Sequence, residues 1–203
     1  MNKIIVVDLD GCLCSVNSFR YWILFSYLFL LFSCQWKTLI QFNKFIILRI
    51  FLKSDRVQMK RDILSITENL PQYFINSFCL FLNLFINQNV LDTIKSYEQK
   101  IIPIVLCTAA PACYVTTFAE KFNFSKTFAT PSVYQSNWKE NIQYRKLELL
   151  KLFYGEDLTI ECVITDHHDD LPLLLKANKR LLVKPSQKTL DKIMHQFEFD
   201  IIQ

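Results

Sequence analysis

Residues 4–14, IIVVDLDGCLC, decide how the rest of the chain is read. Four β-branched residues in succession, Ile4 to Val7, predict a fully buried strand. The strand carries Asp8 and Asp10 to its carboxyl end, and Gly11 lets the chain leave sharply. In open α/β sheets that end of a strand is where ligands bind. Two carboxylates at spacing two beside an apolar strand are costly unless a cation pairs with them. Mg²⁺ suits them, because it takes oxygen ligands and keeps several waters. A carboxylate in this position can also be a covalent nucleophile towards phosphorus. On this stretch alone, a solvated Asp-x-Asp-Gly turn stands beside that reading.

The chain has 203 residues, room for one domain or a core with a modest insertion. A hydrophobic content of 51% with 21% charged residues excludes a disordered chain. The net charge of +4 is mild, and no nucleic-acid partner is expected from it. There are 2 glycines, Gly11 and Gly155, where ordinary usage gives roughly 14, so one placed beside Asp8 and Asp10 is informative. The 7 cysteines show no CxxC or Cys/His finger spacing and read as small buried hydrophobes in a reducing compartment, the cytoplasm. A chain that opens straight into a strand, with acids by position 8, is expected to carry no signal peptide.

Residues 21–36, YWILFSYLFLLFSCQW, carry no charge. As a helix they span about 24 Å, short of the roughly 30 Å and 20 residues of a hydrocarbon core. Residues 37–53 predict an amphipathic helix with Lys37, Gln41, Lys44, Arg49 and Lys53 on its polar side. This basic, aromatic hairpin over 21–53 suits either a membrane interface or a helical cap packed on itself and the core. Residues 54–70 read as an ordinary surface helix starting at Ser54 and Asp55, and 73–86 as an apolar helix. Residues 90–100 read as an amphipathic helix, with the pattern returning to strand over 100–102.

Beyond this the chain alternates strand and helix, the mark of a parallel sheet. Strands are expected at 101–107, 127–130, 158–165 and 180–183. Helices are expected at 111–122, 141–153 (with Tyr144, Leu147 and Leu150 on one stripe), 171–177 and 188–196. Three apolar strands then end in polar groups: Asp8 and Asp10, Thr108, and Asp166 with Asp169 and Asp170. Side by side, they would bring carboxylates, a hydroxyl and a lysine to one sheet edge. Carboxylates crowd in this way when a divalent cation neutralises them and an anionic substrate joins the same metal. Lys146 could offset charge on a transferring phosphoryl group.

DLDGC, then LCTAAP at a strand end, then a lysine, then TDHHDDLPLL, in that order, resemble the haloacid dehalogenase-like hydrolases. The helical insertion after the first motif and the stretch CTAAPACYVTTFAEKFNFSKTFAT are similar to the subgroup that includes phosphoserine phosphatases. The resemblance covers about residues 1–20 and 100–190. It implies an α/β fold, a Rossmann-like parallel sheet core with an all-helical cap inserted after the first strand. The core would be residues 1–14 and 88–203, and the very hydrophobic, substrate-specifying cap residues 15–87. It implies a Mg²⁺-dependent phosphatase that hydrolyses a phosphomonoester through an aspartyl-phosphate. Asp8 would be the nucleophile, and Asp10 the acid to the leaving alkoxide and then the base to water. Thr108 would hold a phosphoryl oxygen and Lys146 the nucleophile and phosphoryl group. Asp166 and Asp170 would bind Mg²⁺ with Asp8 and the backbone carbonyl of Asp10. Phosphoryl transfer asks mainly for in-line positioning and charge neutralisation, and this set supplies both.

Three positions depart from the family. Cys12 stands where Thr is usual. Gln143 stands where a glycine is common three residues before the lysine, which leaves Lys139 as a rival to Lys146. His167 and His168 replace small residues beside Asp166, and Asp169 reads as a supporting residue or a helix cap. Paired histidines suggest a transition metal, but the Asp-rich surroundings favour Mg²⁺. The hydrophobic cap and the ending NKRLLVKPSQKTL are also loosely similar to phosphatidylglycerophosphatase C-like enzymes. The expected partner is therefore a phosphorylated small molecule or a phospholipid headgroup. The latter implies peripheral contact with the inner face of a membrane through 21–53. A non-catalytic binding protein that keeps the fold is the third reading.

Overall fold

A computed structural model describes residues 3–51, 55–99 and 101–203. At its centre is β1 (Lys3–Val7), whose four residues after Lys3 are fully buried. β1 pairs in parallel with β2 (Ile104–Pro111) on one side and β4 (Thr159–Thr165) on the other. β3 (Lys126–Thr130) lies outside β2, and β5 (Ala177–Val183) then β6 (Asp200–Ile202) lie outside β4. The order is β3-β2-β1-β4-β5-β6, parallel throughout. The chain builds outward from β1 through β2 and β3, then returns to start β4 on the opposite side of β1. The crevice at such a reversal is where open parallel sheets bind ligands. Val7 pairs with Leu106 and with Ile164, so the next residues on β1, β2 and β4 reach the sheet edge together.

Among the described residues, five α-helices run between β1 and β2: α1 (Ser18–Phe32), α2 (Trp36–Phe51), α3 (Arg56–Thr67), α4 (Gln72–Leu82) and α5 (Gln88–Glu98). The two ends of this segment are stitched together: Ser15 N donates to Phe85 O at 2.8 Å, and Asn87 N to Leu13 O at 2.9 Å. One face of the sheet packs with α1, α4 and α6 (Ala112–Ala119) in a single core that includes Ile5, Val7, Trp22, Phe78 and Tyr114. Trp22 Nε1, fully buried, donates to Thr67 Oγ1 at 3.0 Å, so its polar edge is satisfied. The opposite face carries Ile4, Val6, Val105 and Val163 against α7 (Tyr144–Tyr154), α8 (Leu171–Leu174) and α9 (Gln187–Ile193). A separate small core, Leu30, Leu39, Phe42 and Ile63, joins α1, α2 and α3.

Several expected bounds move. The uncharged run splits: α1 stops at Phe32, Cys34 takes a φ of 54°, and Trp36 opens α2. Ser54, Lys53 and Lys100, which bounded expected elements, lie outside the described residues. The strand expected at residue 101 starts at Ile104, because Ile101 has a φ of 58° and Pro103 has no N–H for the ladder. Helix α7 starts at Tyr144, which is exposed, so the stripe facing the core is Leu147 and Leu150 without it. The helix expected over 171–177 ends at Leu174, and Ala177 already begins β5. The chain closes on β6, an edge strand that the sequence reading missed. The expected surface helix α3 exposes Arg56, Gln58, Arg61 and Ser65 and buries a stripe of Lys60, Ile63, Leu64 and Thr67.

Candidate active site

The turn after β1 is pinned from several sides. Asp8 N donates to Ile164 O at 2.9 Å, and Cys14 N to Leu9 O at 2.8 Å. Cys12, fully buried, points its thiol at Ile164 O across 3.3 Å, so the residue that departs from the family still ties this turn to β4. Gly11 has a φ of 73°, and a Cβ built there would stand 2.2 Å from Asp166 Oδ2. Only glycine lets this turn and the end of β4 approach so closely. Asp10 Oδ1 accepts from Ser18 N at 2.8 Å, fixing its carboxylate to the first turn of α1.

Lys146, buried on α7, bridges two carboxylates. Its Nζ donates to Asp8 Oδ1 at 3.0 Å and lies 2.7 Å from Asp170 Oδ1. The second contact is a close, buried ion pair. Asp170 Oδ2 accepts from Thr165 Oγ1 at 2.7 Å. Lys139 is exposed and lines a different cavity, so of the two lysines only Lys146 reaches Asp8. Gln143, three residues earlier, takes φ 49° and ψ −128°, a conformation that glycine adopts freely and glutamine does not.

Thr108 is buried within β2, just past the last pair with β1, and the strand runs on to Pro111 instead of ending at Thr108; its Oγ1 accepts from Ala110 N at 3.1 Å and its carbonyl accepts from Asn141 Nδ2 at 3.1 Å. No hydrogen bond joins it to the carboxylates. Asp166 lines the pocket beside Asp8 and Asp10. Asp169 is not a helix cap: Oδ1 lies 3.5 Å from Gln143 Nε2 and Oδ2 lies 3.3 Å from His167 Nδ1. His167, His168 and Asp169 bring potential ligand atoms within 4.8 Å of one another. Both nitrogens of His168 are engaged, however, by Thr189 Oγ1 at 3.4 Å and Lys192 Nζ at 2.7 Å. A cation beside Nε2 opposes a metal there.

Burial dominates the ionisation of this cluster. It pushes Asp8 up to about 7, with Asp170 and Asp10 adding to the rise and Lys146 opposing it. It pushes Asp166 up to about 7, helped by Asp8 and Asp170. Asp10 is raised for the same reason, against the hydrogen bonds from Ser18. Burial would depress Lys146, but Asp170 and Asp8 outweigh it and hold the amine charged.

Four residues that the sequence reading did not single out, Lys60, Arg56, Glu68 and Glu140, complete the surroundings. Lys60 on α3, buried, donates to Ala109 O at 2.7 Å and pairs closely with Glu140. Arg56 shares the same Glu140 oxygen at 3.2 Å. Glu68 Oε2 accepts from Val133 N at 3.0 Å, further along the seam between α3 and the loop before α7. Nothing local marks Lys60 as buried, because its partner is 80 residues away.

Asp8, Asp10, Asp166 and Asp170 face a single lysine at the site floor, an excess of negative charge. All their donor atoms are oxygens, and Asp8 and Asp166 are pushed towards the protonated form. These features fit a hard divalent cation such as Mg²⁺.

The sequence profile of the haloacid dehalogenase-like hydrolase family matches residues 5–175. The chain belongs to that family and is a hydrolase by it. Comparison with curated proteins found no match. Among solved structures it is similar to a Bordetella pertussis Tohama I protein of unknown function, with a TM-score of 0.78 at 14% identity, covering 100% of this chain and 99% of that one. A phosphoserine phosphohydrolase-like protein from Francisella tularensis follows at 0.61 and 15%, covering 100% and 95%. A phosphoserine phosphatase solved as a phospho-aspartyl intermediate analogue gives 0.59 and 15%, covering 100% and 94%. These likenesses, at low identity, are likenesses of fold.

Proposed function

We propose that this protein is a Mg²⁺-dependent phosphatase that hydrolyses a phosphomonoester through an aspartyl-phosphate on Asp8. The observation that carries the reading is Lys146, held 3.0 Å from Asp8 at the end of the central strand, with Asp166 and Asp170 beside it. Asp8 attacks phosphorus in line with the ester bond, forming an acyl phosphate as the ester oxygen departs. Asp10 gives that oxygen its proton; burial raises its carboxyl above the usual carboxylate range, which favours the protonated form that this role needs. Asp10 then takes a proton from water, whose oxygen attacks the same phosphorus and regenerates the Asp8 carboxylate. Lys146 keeps Asp8 oriented and offsets charge on the phosphoryl oxygens. Thr108 steadies one of those oxygens through its hydroxyl. Asp8, Asp166, Asp170 and the backbone carbonyl of Asp10 would hold Mg²⁺, which supplies charge neutralisation to the transferring group. The segment 15–87 acts as the cap that selects the substrate, and 1–14 with 88–203 as the catalytic core, in a cytoplasmic setting.

A second reading places the same chemistry on a phospholipid headgroup at the inner face of a membrane. It is favoured by large apolar side chains left in the open on α1 and α2, among them Phe32 at 81% exposure, Ile40 at 69% and Phe51 at 75%. Among the described residues, no helix is long and apolar enough to cross a membrane, so this contact would be peripheral.

The test is phosphate release from a panel of soluble and vesicle-borne phosphomonoesters, in Mg²⁺ or EDTA, with wild type and Asp8→Asn. Mg²⁺-dependent release that disappears in Asp8→Asn is the expected result, and the preferred member decides between solution and membrane. Folded wild-type protein that releases phosphate from nothing on the panel would sink the reading and leave a binding protein that keeps the fold.

A further inference from the structure

The cavity over the carboxylates, about 340 Å³, is charged unevenly. Its floor is the acidic cluster just described. The wall supplied by the inserted helices carries Arg20, Arg56 and Lys60 and no acidic residue, with Phe19, Ile23 and Met59 between them. The chain holds no Asp or Glu at all from position 11 to position 54.

Lys60 is already committed, buried against Glu140 and the Ala109 carbonyl. Arg56 shares Glu140 but keeps its side chain 60% exposed. The Arg20 guanidinium has no partner among the described residues, where only its backbone N–H is engaged, by Asn17. Glu140 balances one of the three cations, so two positive charges remain on a wall with no anion of its own.

Asp10 fixes which wall the leaving group meets. As the proton donor to the departing oxygen, it must stand beside the leaving group, and its carboxylate is bonded to Ser18 N at the start of α1. Phe19, Arg20 and Ile23 follow in the next residues of that helix. A leaving group protonated by Asp10 therefore emerges along α1, opposite α3 with Arg56 and Met59.

We propose that the alcohol part of the substrate carries a second anion, a carboxylate or phosphate, bound by Arg20 and Arg56, with an apolar portion against Phe19, Ile23 and Met59. The substrate class is an anionic, amphiphilic phosphomonoester, and amine-bearing alcohols are disfavoured by the two guanidiniums. This inference rests on the phosphatase reading above. The same chemistry is found in a small soluble ester and in a lipid headgroup.

The test uses matched alkyl phosphates of one chain length, ending in a carboxylate or in the uncharged carboxamide, at fixed Mg²⁺. The expected preference is about tenfold or more in kcat/KM for the carboxylate, the yield of one charge-assisted contact. Arg20→Gln and Arg56→Gln should each shrink that preference to about threefold or less by raising KM for the carboxylate ester, with kcat little changed. Arg20→Lys and Arg56→Lys should restore much of it, which a merely structural role would not do. A long-chain pair anchored in neutral vesicles forms the second arm. Preference in solution assigns a soluble substrate, and preference seen only on vesicles assigns a lipid headgroup. Equal rates on carboxylate and carboxamide in both arms would overturn this proposal while leaving the phosphatase reading intact. Hydrolysis of neither ester in either arm would overturn both.

Discussion

Gly11→Ala tests whether the turn after β1 and the end of β4 form one site. The backbone there has a φ of 73°, which costs an L-residue roughly 1–2 kcal/mol. The new Cβ would stand 2.2 Å from Asp166 Oδ2 and 2.5 Å from its Cγ, far inside contact distance. Either the turn or Asp166 must retreat by about 1 Å, and such overpacking adds roughly 1–3 kcal/mol. The expected loss of stability is therefore about 2–5 kcal/mol in urea unfolding of the metal-free protein. A displacement of about 1 Å at a reacting centre also costs on the order of a hundredfold in rate. Phosphate release should fall by that factor, and calorimetric titration should show weakened Mg²⁺ binding. Gly155→Ala is the control, because its φ of 95° is also strained but nothing lies within 4 Å of the added methyl. It should lose stability and keep its rate and Mg²⁺ affinity. Gly11→Ala with wild-type rate and Mg²⁺ affinity would refute the argument that this glycine sets the spacing of the cluster.

Two further outcomes follow from the same geometry. Gln143→Gly should raise stability by about 1 kcal/mol, because relief of roughly 1–3 kcal/mol of backbone strain exceeds the added entropy of an unfolded glycine; a lower denaturation midpoint would contradict it. Metal-free protein should lose stability as pH rises from about 4 to about 7: the folded state keeps protons on Asp8 and Asp166 that the unfolded chain has already released, at up to about 1.4 kcal/mol per pH unit for each group. Excess Mg²⁺ should flatten the fall by favouring the ionised carboxylates, and a metal-free Tm that stays level or climbs over that range would show the cluster to be unstrained.

Much of the carboxylate cluster was legible in the sequence because each part is local. A β-branched run ending in Asp8, a strand carrying Thr108 and another ending in Asp166 announce themselves within a few residues. The parallel sheet then aligns their ends without further information. What stayed hidden depends on distant partners. Residues 54–70 have an ordinary surface pattern, and Lys60 becomes a buried cation only because Glu140 and the Ala109 carbonyl meet it across the fold. The strand β6 was missed for a similar reason, since three residues at an edge carry little periodicity and depend on β5 for pairing. Lys146 and Lys139 could not be separated by spacing. Burial separates them, with one inside against two carboxylates and the other in solvent.

The inserted helices are anchored in two unlike ways. α1 and α4 share the main apolar core with the sheet, whereas α2 and α3 close a small core of their own with one side of α1. Swinging the whole insertion about its stitched ends would tear Trp22 and Phe78 out of the protein's principal core. The outer α2–α3 pair is held to the rest by that small core, by the buried Trp22–Thr67 hydrogen bond and by a polar seam through Glu140, Glu68 and Tyr134. Arg56 and Met59 sit on that outer pair, and Arg20 and Phe19 on α1, which shares the main core. The cavity thus lies between two unlike jaws, and drawing them apart would break the small apolar core and the buried Trp22–Thr67 hydrogen bond as well as the polar seam.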